Sequence, residues 1–143
     1  MDLFIAIFQG IIIASTPLVL AAVGELVVEK SGVLNLGVEG MMIIGAVTSF
    51  IVTYETGSHF LGLIAAVISA GLVASLFGLL TQYLLSNQVA TGLALTLFGL
   101  GLASLIGQTY SGISLDAFPV FDVYLLTEIP IIGSLLFLSL IHI

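Results

Sequence analysis

The chain has no cysteine, no arginine and a single lysine, Lys30, and each shortage closes a class of function. Without thiols there are no disulfides and no thiolate metal sites, and His59 and His142 are too few for a histidine cluster. No metal or other cofactor is therefore expected. One cation against eight acids, a net charge of -7, leaves no basic surface for phosphates, so nucleic acid is excluded as a partner. Charged residues make up 6% of the chain, where a soluble domain carries about a quarter. A water-facing surface cannot be built from that composition.

Catalytic patterns are missing as well. Gly24 to Ser31 comes within one residue of a phosphate-binding loop, but Glu29 stands where the second glycine belongs and its carboxylate would repel phosphate. Intramembrane proteolysis needs paired aspartates, a His-Glu-x-x-His helix or a serine with a histidine inside the bilayer, and His59 and His142 supply none of these. The chain is expected not to be an enzyme, and any nucleotide hydrolysis coupled to it belongs to a separate chain. His59 lies four residues after Glu55 and reads as an ordinary loop histidine.

What is present is hydrocarbon: 60% of residues are hydrophobic and the mean hydropathy is +1.37. It comes in long runs, without the alternation of a membrane β-barrel. Leu3 to Val23, Val33 to Tyr54, Phe60 to Leu85 and Val89 to Gly107 are each long enough to span the bilayer as helices, the element that satisfies its own backbone. A fifth run, Ile129 to Ile143, stops short. The polar breaks Gly24 to Gly32, Glu55 to His59, Ser86 to Gln88 and Gln108 to Glu128 read as loops, with Glu25, Glu29 and Lys30 solvated. The fold class expected is all-α, a polytopic transmembrane helical bundle forming one continuous domain over residues 1–143. Asp2 in place of a basic n-region, and the length of the first run, argue against a signal peptide. Lys30 places the first loop in the cytoplasm and the N-terminus outside; Glu55, Asp116, Asp122 and Glu128 then face outward.

The third run carries Gly62, Ala66, Ala70, Ala74 and Gly78 at a constant spacing of four, a small-residue stripe that lets a neighbouring backbone approach closely. Gly99, Ala103 and Gly107 repeat the device in the fourth.

The stretch from Gly24 to Met42 is the unusual one, since polar residues and glycines run directly into a membrane segment. The ten Val, Leu, Ile and Phe residues of the second run favour insertion by about 3 to 6 kcal/mol, while Glu39 opposes it by about 2.5 to 3.5 kcal/mol and Asn35 opposes it further. Such a segment must turn its polar groups to a protein or water-filled interior, or begin as non-helical backbone lining a cavity, which Gly32, Gly37 and Gly40 permit. Asn35 and Glu39, four apart, would share one helix face; alternatively Asn35 is the N-cap and Glu39 pairs with Lys30 or a backbone donor. A second polar patch, Ser86 to Gly92, opens the fourth run, with Gln88, Thr91 and Thr96 projecting from its cytoplasmic third and Ser86 or Asn87 as cap. If Asn35, Glu39, Gln88 and Thr91 face a pathway, they would bond transiently to a neutral polar solute.

Gly24-Glu25, then Glu29 to Met42, then Asn87 to Leu95 together resemble the permease subunits of nucleoside and simple-sugar ABC importers, and more distantly the ribose and branched-chain amino acid permeases. The resemblance runs from about Thr16 to Pro130. It implies the N-terminal half of a multi-pass permease of the bacterial plasma (inner) membrane, working by alternating access, with the glycine-rich segment in its translocation core. It also implies a second permease subunit, cytoplasmic ATP-binding subunits and an extracellular substrate-binding lipoprotein as partners. The half that docks on the ATPase would follow Ile143, and Leu138 to Ile143 reads as a truncated frame or foreign tail. Two other readings stand beside this one: an ion-driven transporter or channel in which Glu39 carries the ion, and a non-transporting scaffold built on the small-residue stripes.

Overall fold

The computed structural model describes residues 2–116, so the fifth run and Leu138 to Ile143 lie outside the described residues. Among these residues the chain is helical and without strands: α1 (Asp2–Lys30), α2 (Val38–Thr56), α3 (His59–Gly78) and α4 (Gln88–Gly107). All four are long and apolar enough to cross a membrane. Residues 24–115 make one compact unit, and residues 2–23 fall outside it.

The first helix does not stop at Gly24. It continues through Glu25, Glu29 and Lys30, which are helical and not a loop, because Glu-Leu-Val-Val-Glu-Lys has no helix breaker and one glycine costs only about 1 kcal/mol. The end comes at Gly32, in the left-handed region with φ 84°. The Gly32 N–H donates to the Glu29 carbonyl at 2.9 Å and the Val33 N–H to the Val28 carbonyl at 3.4 Å, the paired bonds that close a helix on a left-handed glycine.

The second helix begins at Val38, later than the apolar run, with Gly37 as its N-cap. It ends on Gly57, also left-handed, and Ser58 caps α3 by accepting from the Leu61 N–H. The third helix widens at its end into a π-helical turn, Leu79–Tyr83. The chain then turns through Leu85, whose φ of 53° is uncommon for a branched residue, to Asn87, which caps α4 by accepting from Ala90 N–H at 3.0 Å.

Within the unit of residues 24–115, α2 packs against both α3 and α4. Met41 and Ile44 of α2, Val73 and Phe77 of α3 and Leu95 of α4 form the buried cluster. Where α2 meets α4, Gly40 faces Gly99 so closely that a Cβ on Gly99 would stand 2.6 Å from the Gly40 Cα. In lipid, where apolar surface gains nothing by association, such backbone proximity and interhelical hydrogen bonds hold helices together. The second kind is present between Thr48 of α2 and Ser69 of α3, whose hydroxyls are 2.6 Å apart.

The small-residue stripe of α3 meets α2 over its first half. Gly62 lies against Ser49 and Thr53, and the position of a Cβ on Gly45 is 3.5 Å from the Ala66 carbonyl oxygen and 3.6 Å from the Ala70 Cβ. Ala74 is exposed and Gly78 has no neighbour within 4 Å of where its Cβ would be. With about 3.6 residues per turn, each step of four drifts about 40° around the axis. The buried face accordingly passes from Gly62 to Val73 and Phe77 instead of continuing to Ala74 and Gly78. In α4, Gly99 and Ala103 are buried, and Gly107 approaches Val47.

Candidate functional site

Between Gly32 and Val38 the chain is not helical, so its backbone groups need partners from elsewhere. They find them on two other helices. The Leu34 N–H donates to the Gln88 Oε1 of α4 at 2.8 Å, and the Asn35 N–H to the Glu25 Oε1 of α1 at 2.9 Å. The Thr96 hydroxyl of α4 donates to the Leu36 carbonyl at 2.9 Å. Locally, the Gly37 N–H donates to Asn35 Oδ1 at 2.9 Å, and Asn35 Nδ2 lies 3.7 Å from the Met41 sulfur.

The depth of this segment follows from its partners. Leu34 is held by Gln88, the first residue of α4, whereas Leu36 is held by Thr96, about two turns or roughly 12 Å further along that helix. Irregular backbone therefore enters alongside a spanning helix, which is tolerated only where protein buries it or where it borders a water-filled cavity. Gly92 provides the room: a Cβ there would be 2.8 Å from the Leu36 nitrogen.

Asn35 and Glu39 do not share a helix face. Asn35 precedes α2, because its side chain takes the Gly37 N–H and bends the chain two residues before the helix starts. It is 8% exposed, whereas Glu39 is exposed on the first turn of α2. Nor is Asn35 the N-cap residue; that place belongs to Gly37. A carboxylate in the first turn is favoured by the helix dipole by about 0.3 to 1 kcal/mol at an exposed site, a sufficient structural reason for Glu39.

Gln88 stands at the mouth of the segment with its amide oxygen committed to Leu34. Thr91 is half-buried on the neighbouring face, where its hydroxyl lies 2.8 Å from that of Ser86. Thr91 and Ser86, but not Gln88, line a groove of about 520 Å³ between the end of α3 and the start of α4, walled by Leu80, Phe98 and other apolar side chains with Asn87 at its polar end. Of the three glycines expected to permit non-helical backbone, Gly32 closes α1 and Gly37 caps α2, whereas Gly40 lies within α2 and forms the α2–α4 crossing.

Two partners of the segment were not legible as such. Glu25 carries no spacing that links it to Asn35, and Thr96, although it stands out with Gln88 and Thr91 as a polar residue of the fourth run, carries no sign that its partner is the Leu36 carbonyl. At the opposite end, the Tyr110 hydroxyl donates to Glu55 Oε1 at 2.9 Å and the Tyr54 and Tyr110 rings meet edge to face at 5.7 Å, joining the last turn of α2 to the short 3-10 turn, Gln108–Tyr110, that follows α4. No cluster of metal-ligating side chains occurs among the described residues.

A family profile described as "Branched-chain amino acid transport system / permease component" matches residues 7–141. TsgC13 of Haloferax volcanii, provisionally named a glucose ABC transporter permease protein, is 40% identical over 131 residues, covering 88% of this chain and 40% of its own length. The nucleoside ABC transporter permease protein NupC of Lactococcus lactis is 28% identical over 92% of the chain and 44% of its own length. The guanosine ABC transporter permease protein NupQ of Bacillus subtilis is 30% identical over 90% of the chain and 42% of its own length. The chain thus spans less than half the length of these relatives. No solved structure matches it significantly.

Proposed function

The chain belongs to the branched-chain amino acid transport system / permease component family, and on that premise we propose that it forms part of the solute pathway of an ATP-driven importer. The observation that carries this reading is the non-helical stretch from Val33 to Gly37, held beside a spanning helix by Gln88 and Thr96. A plain anchor or scaffold has no use for it, whereas a pathway wall needs polar backbone at depth.

The solute class is nucleosides or simple sugars, the two chemistries for which the relatives are named. Such solutes are neutral and rich in hydroxyls. Of the four polar residues expected along the pathway, Asn35 is buried and shapes the segment and Thr91 pairs with Ser86 on a neighbouring face, which leaves Glu39 and Gln88 for brief hydrogen bonds to solute. Glu39 is the exposed one, and Gln88 retains its amide donors once Leu34 holds its oxygen. The partners in this reading are a second permease subunit, cytoplasmic ATP-binding subunits and an extracellular binding lipoprotein, in a bacterial plasma membrane with Lys30 on the cytoplasmic side. ATP-driven closure of those subunits would rock the helices between outward and inward states.

The test is uptake of labelled guanosine and labelled glucose by cells carrying the intact transporter. Uptake that stops on ATP depletion and survives an uncoupler at clamped ATP supports the reading. Uptake that persists without ATP and collapses with the uncoupler sinks it and returns Glu39 to the role of ion carrier.

A further inference from the structure

Glu25 is assigned no part by composition or spacing, and its carboxylate lies ten residues upstream of the group it binds. From that contact we infer that Glu25 is a positioning residue: its carboxylate oxygen sets the place of the non-helical segment by accepting the Asn35 N–H.

Three features support this. The bond, at 2.9 Å, ties the last turns of α1 to a segment whose neighbouring groups are tied to α4, so the segment is stretched between two helices. Gly32 fixes the angle at which the chain leaves α1, bringing it back toward Glu25. Asn35 is buried, and its N–H has no helical carbonyl to bond, so losing the acceptor would leave a donor unpaired or pull the segment toward water. What Glu25 supplies is an acceptor at a definite reach; the function of the segment it holds rests on the permease reading above.

These 143 residues hold no cysteine, so Leu36→Cys, in a transporter whose remaining cysteines are replaced by serine, introduces one reporter thiol into the segment. Its rate of modification by a water-soluble maleimide is measured in membrane vesicles of both orientations. Glu25→Ala is expected to raise that rate about fivefold or more, the factor for losing a hydrogen bond of ordinary net strength. Glu25→Gln, which keeps an acceptor oxygen at the same reach, should match the parent, and Glu25→Asp, shorter by one methylene, should raise the rate. If the alanine variant does not accumulate, the Gln and Asp pair decides alone. Equal labelling in all variants overturns the assignment, as does the reverse order, with Asp like the parent and Gln raised, which would mean that charge and not reach matters.

Guanosine and glucose uptake by the intact transporter separates this from the pathway proposal. Glu25→Asp should lower maximal uptake while leaving the half-saturating concentration unchanged. The expected labelling pattern without any ATP-dependent uptake keeps the positioning role and removes the pathway. ATP-dependent uptake with unchanged labelling keeps the pathway and removes the positioning role.

Discussion

Gly40 and Gly99 meet backbone to backbone: a Cβ on Gly40 would stand 2.6 Å from the Leu95 carbonyl oxygen, and one on Gly99 would stand 2.7 Å from the Gly40 carbonyl oxygen. This contact sets how near α2 comes to α4, and with it the reach of the segment before α2 to Gln88 and Thr96.

Gly99→Ala should destabilise the detergent-solubilised protein by about 1 to 3 kcal/mol, because neither backbone can yield to the added carbon. Gly101, in the same helix with nothing within 4 Å, is the control: Gly101→Ala should stabilise by about 0.5 to 1 kcal/mol. Thermal unfolding followed by fluorescence of an added dye would read both; equal effects would mean the two helices are further apart than described.

Gly32→Ala should cost about 1 to 2 kcal/mol, the penalty for an L side chain in the left-handed region, although there is open space around the residue. Gly32→Asn should cost less, since Asn visits that region more readily. Ranking the midpoints of the parent and both variants checks it, and an alanine variant as stable as the parent would remove the helix-closing role.

The hydroxyls of Thr48 and Ser69 should be coupled weakly. A cycle of Thr48→Val, Ser69→Ala and the double variant is expected to give about 0.6 kcal/mol and no more than about 1.7 kcal/mol, the range for interhelical bonds in membranes. Additive effects would show that each hydroxyl is satisfied by its own helix, as the Thr48 contacts to Ile44 and Gly45 carbonyls allow.

Along α3, Ala70→Leu should destabilise by about 1 to 3 kcal/mol because the position faces Gly45, whereas Ala74→Leu in the isolated chain should stay within about 0.5 kcal/mol. Similar losses at both positions would restore the straight stripe.

The four spans could be read from run length alone, because hydrocarbon thickness fixes it. The marginal energetics of Val33 to Tyr54 also left room for a non-helical entry, and α2 does begin only at Val38. Asn87 could be anticipated as a cap from its place before an apolar run. Other features depend on where distant residues end up. Gly24 read as a break although α1 passes through it, since helix propensity tolerates a lone glycine. Glu25 read as solvated because composition cannot distinguish a carboxylate in water from one accepting a backbone N–H beyond a turn. Spacing offers Asn35 either a helix face or the N-cap, and it takes neither, because its own side chain delays the helix to Val38. Ala74 and Gly78 continued a ladder on paper that the pitch of α3 turns aside.

Because Gly40 near the start of α2 touches Gly99 in the middle of α4, and Glu55 near the end of α2 accepts from Tyr110 in the turn after α4, α2 is joined to the α4 arm at two separated heights. Two joints at different heights resist a pivot about either one alone, which favours a swing of the two rods together as one strut. Bending is then left to the joints at the ends of the strut: the chain reversal after Lys30 and the widened coil at Leu79–Tyr83 with its left-handed Leu85.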